Sequence, residues 1–292
     1  MAKEILVIPN IPAPMVMDQW LVFGLDLSLS RTGWSALHVK KTSDQTEAKF
    51  LKIGSIKPES TKAPVWVRSK LIAKGLMDTL LTPAVRKILN TPNTGVLFVF
   101  EASTPKNDFL NGISQVVRSE FFTDHAIVSY MENTPDKGDM HTCNSPECCS
   151  VDAKYIYTLL VNASTLRNMM HLTQRGVKNK KENIARAYDF LKKDEFPEVD
   201  SDACDAVLLA MVGRYVCSIF TGFPNEVPGV FLDKLCDSKQ EIKGKGRNQH
   251  TITKGILYRP EYFYAHQNQK RTLLLKDASQ PVKKLQKIWF EV

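Results

Sequence analysis

The chain has 292 residues, 43% hydrophobic and 24% charged, the balance of an ordinary soluble globular protein with room for one large domain or one domain plus an extension. Its net charge of +8, with a pI near 9.1, favours a polyanionic partner. No continuous apolar run approaches the ~20 residues of a membrane span, and Met1 to Pro9 lacks an apolar core ahead of a cleavage site. With six cysteines and no secretory signal, the expectation is a reduced, cytoplasmic protein without membrane contact.

Residues 1–20 carry three prolines and read as an irregular arm. Trp20 to Asp26, Gly33 to Lys40 and Phe50 to Ile56 read as three strands of an antiparallel meander, with a polar turn at 41–49. Pro64 to Leu89 repeats Val67, Leu71, Leu76, Leu80, Val85 and Leu89 at helical spacing. Gly95 to Glu101 is a continuous apolar run suited to a central strand covered on both faces. Asn111 to Asp124 reads as a helix, Ala126 to Met131 as a strand, and about 132–154 as an insertion. Tyr155 to Leu160 is apolar again, Asn179 to Lys193 fits a basic amphipathic helix, and Ser201 to Phe220 is a helix with a wide apolar stripe. Beyond Thr221 come Pro, Gly, Lys and short β-like pieces at Gly229–Leu232, Lys254–Tyr258 and Lys287–Val292.

Four acids stand out against these apolar elements. Asp26 ends the first strand, Glu101 ends the fourth, and Asp202 and Asp205 share one face of the last long helix at i, i+3. A carboxylate in or at the end of a buried strand is costly unless something positive lies beside it. Two strand acids and two helix acids are hard oxygen donors suited to divalent metal. Each also has a plainer explanation: a turn-forming aspartate, a solvent-facing strand end, or acids favoured by the dipole of a helix with Ser201 as N-cap.

Gly24-Leu25-Asp26-Leu27-Ser28-Leu29-Ser30-Arg31-Thr32-Gly33-Trp34 is similar to the first strand and turn of the RuvC family of Holliday-junction resolvases, with Leu27 and Ser28 in place of the family's proline and glycine. Phe98-Val99-Phe100-Glu101 resembles its second acidic motif, and Asp202-Ala203-Cys204-Asp205-Ala206 its last. The resemblance spans about residues 21–220 and implies an α/β, ribonuclease H-like mixed five-stranded sheet flanked by helices, with 221–292 a basic, β-rich C-terminal extension. It implies a homodimeric endonuclease that cuts branched DNA, four-way junctions above all, and a divergent phage or viral member of the family acting in the host cytoplasm. By the same resemblance Asp26, Glu101, Asp202 and Asp205 hold two Mg²⁺ ions, with Mn²⁺ able to substitute.

The resemblance further places basic residues by the scissile phosphate. Arg167 occupies the position of one family lysine and Lys181 resembles another, with Lys180 as the neighbouring register and Lys178 one turn earlier. From Thr165 to Lys193 there are eight Lys and Arg against two acids, which is also what a solvated helix face looks like. Phe109 and Arg118 are candidates to stack on a base and hold the backbone at the branch. His141, Cys143, Cys148 and Cys149 form a candidate zinc knuckle that lacks the usual paired spacing. The extension has thirteen Lys and Arg against seven acids, and is expected to add DNA contacts or a dimer surface. Two other readings compete: a nucleic-acid-binding protein that keeps the fold without activity, and an actin-like ATPase. The ATPase needs a second, glycine-rich phosphate loop, which this sequence lacks.

Overall fold

A computed structural model describes residues 17–58, 62–91, 93–102, 156–173, 177–243, 249–259 and 262–266. The expected helix at Asn111–Asp124, the strand at Ala126–Met131, the insertion and the piece at Lys287–Val292 lie outside these residues.

The chain folds around one mixed sheet. Strands β1 (Gln19–Asp26), β2 (Thr32–Lys41) and β3 (Thr46–Ile56) form an antiparallel meander. β4 (Thr94–Ala102) lies parallel to β1, and β5 (Ile156–Asn162) parallel to β4. The strand order β3-β2-β1-β4-β5 and these directions make the expected α/β, ribonuclease H-like sheet. A sixth strand was not expected: β8 (Phe263–His266), from the C-terminal segment, pairs antiparallel with β5 and closes that edge.

A parallel β1–β4 pair needs a crossover. Helices α1 (Val65–Leu80) and α2 (Pro83–Leu89) supply it. Sequence periodicity suggested one helix here, but Pro83 cannot continue α1. Instead it occupies the first turn of α2, where Thr82 caps the helix by accepting from the Val85 N–H. Helices α3 (Ala163–Met169), α4 (Val177–Tyr188), α5 (Ser201–Phe220) and α6 (Gly229–Cys236) follow. The basic helix therefore ends at Tyr188, five residues before the expected Lys193. Gly229–Leu232, read as β-like, is the start of α6, because Phe231 and Leu235 at i, i+4 both bury. Lys254–Tyr258, read as β-like, ends in a short 3-10 turn, Ile256–Tyr258, after the antiparallel pair β6 (Gln240–Lys243) and β7 (His250–Thr253).

Alternation along the strands divides the interior in two. Leu21, Phe23, Leu25, Phe98 and Phe100 face α1 and α2. Trp20, Val22, Leu97 and Val99 face α5, together with Tyr157, Leu159 and Val161. Helix α5 is apolar on all sides and lies directly on β1 and β2. By length and composition it could cross a membrane, but 83% of its apolar window is buried inside the protein, as befits a core helix. The segment after Thr221 joins this same core: Phe263 stacks on Tyr157 at 5.5 Å, and Phe231 packs on Tyr215 at 4.4 Å.

Two glycines set how closely α5 approaches the sheet. A Cβ on Gly33 would sit 1.8 Å from the Asp202 carbonyl oxygen, and one on Gly24 would sit 2.0 Å from that of Ala206. The buried Ser35 hydroxyl donates to the same Ala206 carbonyl at 2.8 Å. Gly33→Ala is expected to push the start of α5 off the sheet and cost about 3 kcal/mol, at the upper end for overpacking. Urea melts of the two proteins measure this; an unchanged midpoint would contradict the close contact.

Candidate metal centre

Strand parity aims the first two acids. Asp26 has the parity of Trp20 and Val22, and Glu101 that of Leu97 and Val99, so both face α5. The register pairs Leu25 with Phe100, which brings Asp26 and Glu101 side by side at the ends of adjacent parallel strands. The first turns of α5 come down over this edge, because Gly33, the β2 partner of Asp26, leaves room for Asp202. Carboxylate oxygens of Asp26, Asp202 and Asp205 lie within 4.8 Å of one another. Glu101 stands next to this triad and is coupled to it by charge: its carboxylate opposes ionisation of Asp26, and that of Asp205 opposes ionisation of Glu101.

Among the described residues the cluster lacks enough positive charge. Burial pushes the Asp26 carboxyl well above the usual range, and the charges of Glu101, Asp205 and Asp202 push it the same way. Burial, and then Asp205, raise Glu101 to about 7, with Arg167 opposing. Burial likewise raises Asp205 to about 6, against the hydrogen bond from Asn183. Lys180 relieves part of the repulsion felt by Asp26 and Asp205.

The helix cap falls to another residue. Asp200, not Ser201, is the N-cap of α5 and accepts from the N–H groups of Asp202 at 3.1 Å and Ala203 at 3.0 Å. Asp200 titrates low although burial pushes the other way, because the Ser55 hydroxyl, those two N–H groups and Arg31 favour its charge. Asp202 and Asp205 are therefore not spent on capping, and their oxygens remain with Asp26.

Around the cluster lie the cations. Lys180 Nζ is 4.0 Å from Asp202 Oδ1, and Arg31 Nε is 3.8 Å from Asp202 Oδ2. Arg31 also reaches Asp200 at 3.8 Å. These separations exceed a charge-assisted hydrogen bond. Of the neighbouring register positions, Lys180 meets the acids, while Lys181 is exposed and has no ion pair among the described residues. Arg167, on α3, is close enough to favour the Glu101 charge. Lys178 lies in the first turn of α4. Phe109, Arg118, His141, Cys143, Cys148 and Cys149 lie outside the described residues. The described cysteines, Cys204, Cys217 and Cys236, are buried free thiols.

Sequence reasoning missed three residues here. Asn183 is buried on α4 and donates from Nδ2 to Asp205 Oδ1 at 2.5 Å, while its own Oδ1 has no partner. Arg31 stands in the first motif without a role of its own, and Asp200 directly precedes Ser201, the residue the sequence suggests as the cap. The Asp-Ser-Asp run at 200–202 offered a local sign of the cap; the partnership of Asn183 with Asp205, 22 residues apart, had none.

No protein-family profile and no curated protein matches this sequence. Among solved structures, the chain is similar to T. thermophilus RuvC in complex with a Holliday junction substrate, at 13% identity and a TM-score of 0.43, covering 70% of this chain and 97% of that one. It is also similar to a second Thermus thermophilus RuvC structure, at 12% identity and a TM-score of 0.42, covering 67% and 95%. At such identities the likeness reaches no further than the layout of strands and helices.

Proposed function

We propose that this chain is a metal-dependent endonuclease that hydrolyses phosphodiester bonds in branched DNA, four-way junctions foremost, and acts as a homodimer. One observation carries the nuclease reading: sheet and helix deliver carboxylates from three distant parts of the chain to one half-buried point, without enough cations among the described residues to neutralise them. Such a donor set fits a hard divalent ion, Mg²⁺ with Mn²⁺ as substitute, since all ligands are oxygen and their repulsion vanishes on binding. The choice of branched DNA and of a dimer rests on the motif resemblance.

Asp26, Asp202 and Asp205 would hold the metal, with Glu101 beside them. The bound ion supplies neutralisation of phosphate charge and a water acidic enough to attack at neutral pH. Asn183 holds one oxygen of Asp205 and so orients its carboxylate. Lys180 and Arg167 flank the acids, where they would steady the negative charge that develops on the phosphate. Lys181, exposed on α4, and Lys178, in its first turn, would hold the backbone. In the reaction an oxygen–phosphorus bond forms from water and the bond to the 3′ oxygen breaks, leaving a 5′ phosphate and a 3′ hydroxyl.

The test is a labelled four-way junction, a flap and a linear duplex, each incubated with Mg²⁺ or with EDTA. Mg²⁺-dependent cutting of the junction, lost in Asp205→Asn, is the expected result. Tight junction binding with no cutting in Mg²⁺ or Mn²⁺ would leave a binding protein instead.

A further inference from the structure

The crossover helix α1 carries a surface that the metal centre does not use. Its buried side is Ser69, Ile72, Ala73, Leu76 and Leu80. On its outer side Trp66 is 62% exposed and Leu71 47%, and Trp66, Lys70 and Lys74 form one i, i+4 row. From residue 57 to 78 the sequence holds five cations (Lys57, Lys62, Arg68, Lys70, Lys74) and two acids, Glu59 and Asp78, the second of them next in the same row. Lys57, Lys70 and Lys74 are exposed and have no ion pair among the described residues.

Topology brings this face to the same end of the sheet as the acids. Asp26 pairs with Gly33 at the start of β2, and the adjoining Thr32 pairs with Ile56, the last residue of β3. The chain then leads from that edge into α1. A Cβ on Gly75 would lie 3.3 Å from Ile56, so the ten residues Val65 to Lys74 lie on the N-terminal side of this contact, about 15 Å of helix at 1.5 Å per residue. A large indole held in water one turn before Lys70 is poorly explained by packing among the described residues. A second copy docked on this face would have to strip water from the exposed ammonium groups of Lys70 and Lys74. A nucleic-acid strand satisfies both features, because its phosphates neutralise the ammonium groups and any base offers a π-face to the indole.

We propose that the outer face of α1 is a second nucleic-acid contact, in which Trp66 stacks on a base left unpaired near the branch while Lys70 and Lys74 hold the flanking phosphates. This rests on the nuclease reading above and extends it to a surface on the opposite face of the sheet from α5.

The experiment measures anisotropy of a fluorescein-labelled four-way junction with Ca²⁺ in place of Mg²⁺, over a range of salt, alongside cutting assays in Mg²⁺. Trp66→Ala should weaken junction binding about tenfold, and Trp66→Phe should restore most of it. Lys70→Gln with Lys74→Gln should lower the slope of log affinity against log salt by about 1–2. All three side chains are exposed, so thermal melts of the variants should match the wild type. If the wild type binds and cuts while these variants bind as it does, this surface is refuted and the nuclease reading stands. If the wild type neither binds nor cuts junctions, both fall. If Trp66→Ala lowers the molecular mass in solution without changing affinity, the face belongs to a second copy of the chain and the proposal is overturned.

Discussion

Asp26→Asn should abolish junction cutting and at the same time make the metal-free protein harder to melt. The carboxyl of Asp26 is buried among three other acids, and burial and their charges oppose its ionisation. An amide of nearly the same shape keeps the packing and removes the repulsion, so in EDTA near pH 8 the melting temperature should rise by about 3 °C, the equivalent of about 1 kcal/mol in a protein of this size. Cutting should fall on the order of 10³-fold or more, since the amide cannot supply the charge the metal needs. Opposite signs for stability and activity are the mark of a site built for function against the preference of the fold. Differential scanning fluorimetry beside the cutting assay reads both; a variant that melts lower and still cuts would remove Asp26 from the centre.

Metal and pH should act on stability in opposition. Glu101 is raised from 4.5 to about 7 and Asp205 from 3.8 to about 6, in each case first by burial. A carboxyl raised in the fold keeps its proton where the unfolded chain has lost it. The native state therefore binds more protons between about pH 4 and 7, and ∂ΔG/∂pH for unfolding is negative there. In EDTA the stability these groups contribute is full below about pH 4 and is lost as pH climbs through 7, the acids titrating together as a coupled set. Mg²⁺ needs the same groups ionised, so its stabilising effect should be small at pH 5 and large at pH 8. At a hundred times its dissociation constant it contributes about 2.7 kcal/mol. Melts across pH with and without Mg²⁺ give two curves that diverge upward in pH. Stability in EDTA that climbs steadily from pH 4 to 7, or no response to Mg²⁺ at pH 8, would contradict a metal centre here.

What could be read from the sequence follows the range of the forces involved. β1, β4 and α5 were plain because each is a long apolar run whose length and flanking turns fix its type. The four acids were visible because a charge in such a run is conspicuous. The break at Pro83 was readable in principle, since proline chemistry is local. Which of Lys180 and Lys181 faces the acids was not, because a single step along a helix turns a side chain by about 100° and only the packing of α4 on α5 decides it. Asn183 and Arg31 gained their roles from contacts between remote segments. α6 and β8 were missed because an eight-residue helix and a four-residue strand carry too little pattern to outweigh the packing that selects them.

The last strand among the described residues, Phe263 to His266, lies beside β5 rather than beside its neighbours in sequence. During synthesis β5 therefore emerges about a hundred residues before the strand that covers its flank. Until then the outer hydrogen-bonding groups of Ile156 to Leu159 face water, a template for any other extended chain. A premature stop shortly after Phe220 would leave the acidic cluster in place and that flank bare, so such a product is expected to gather into aggregates rather than persist as a smaller folded protein.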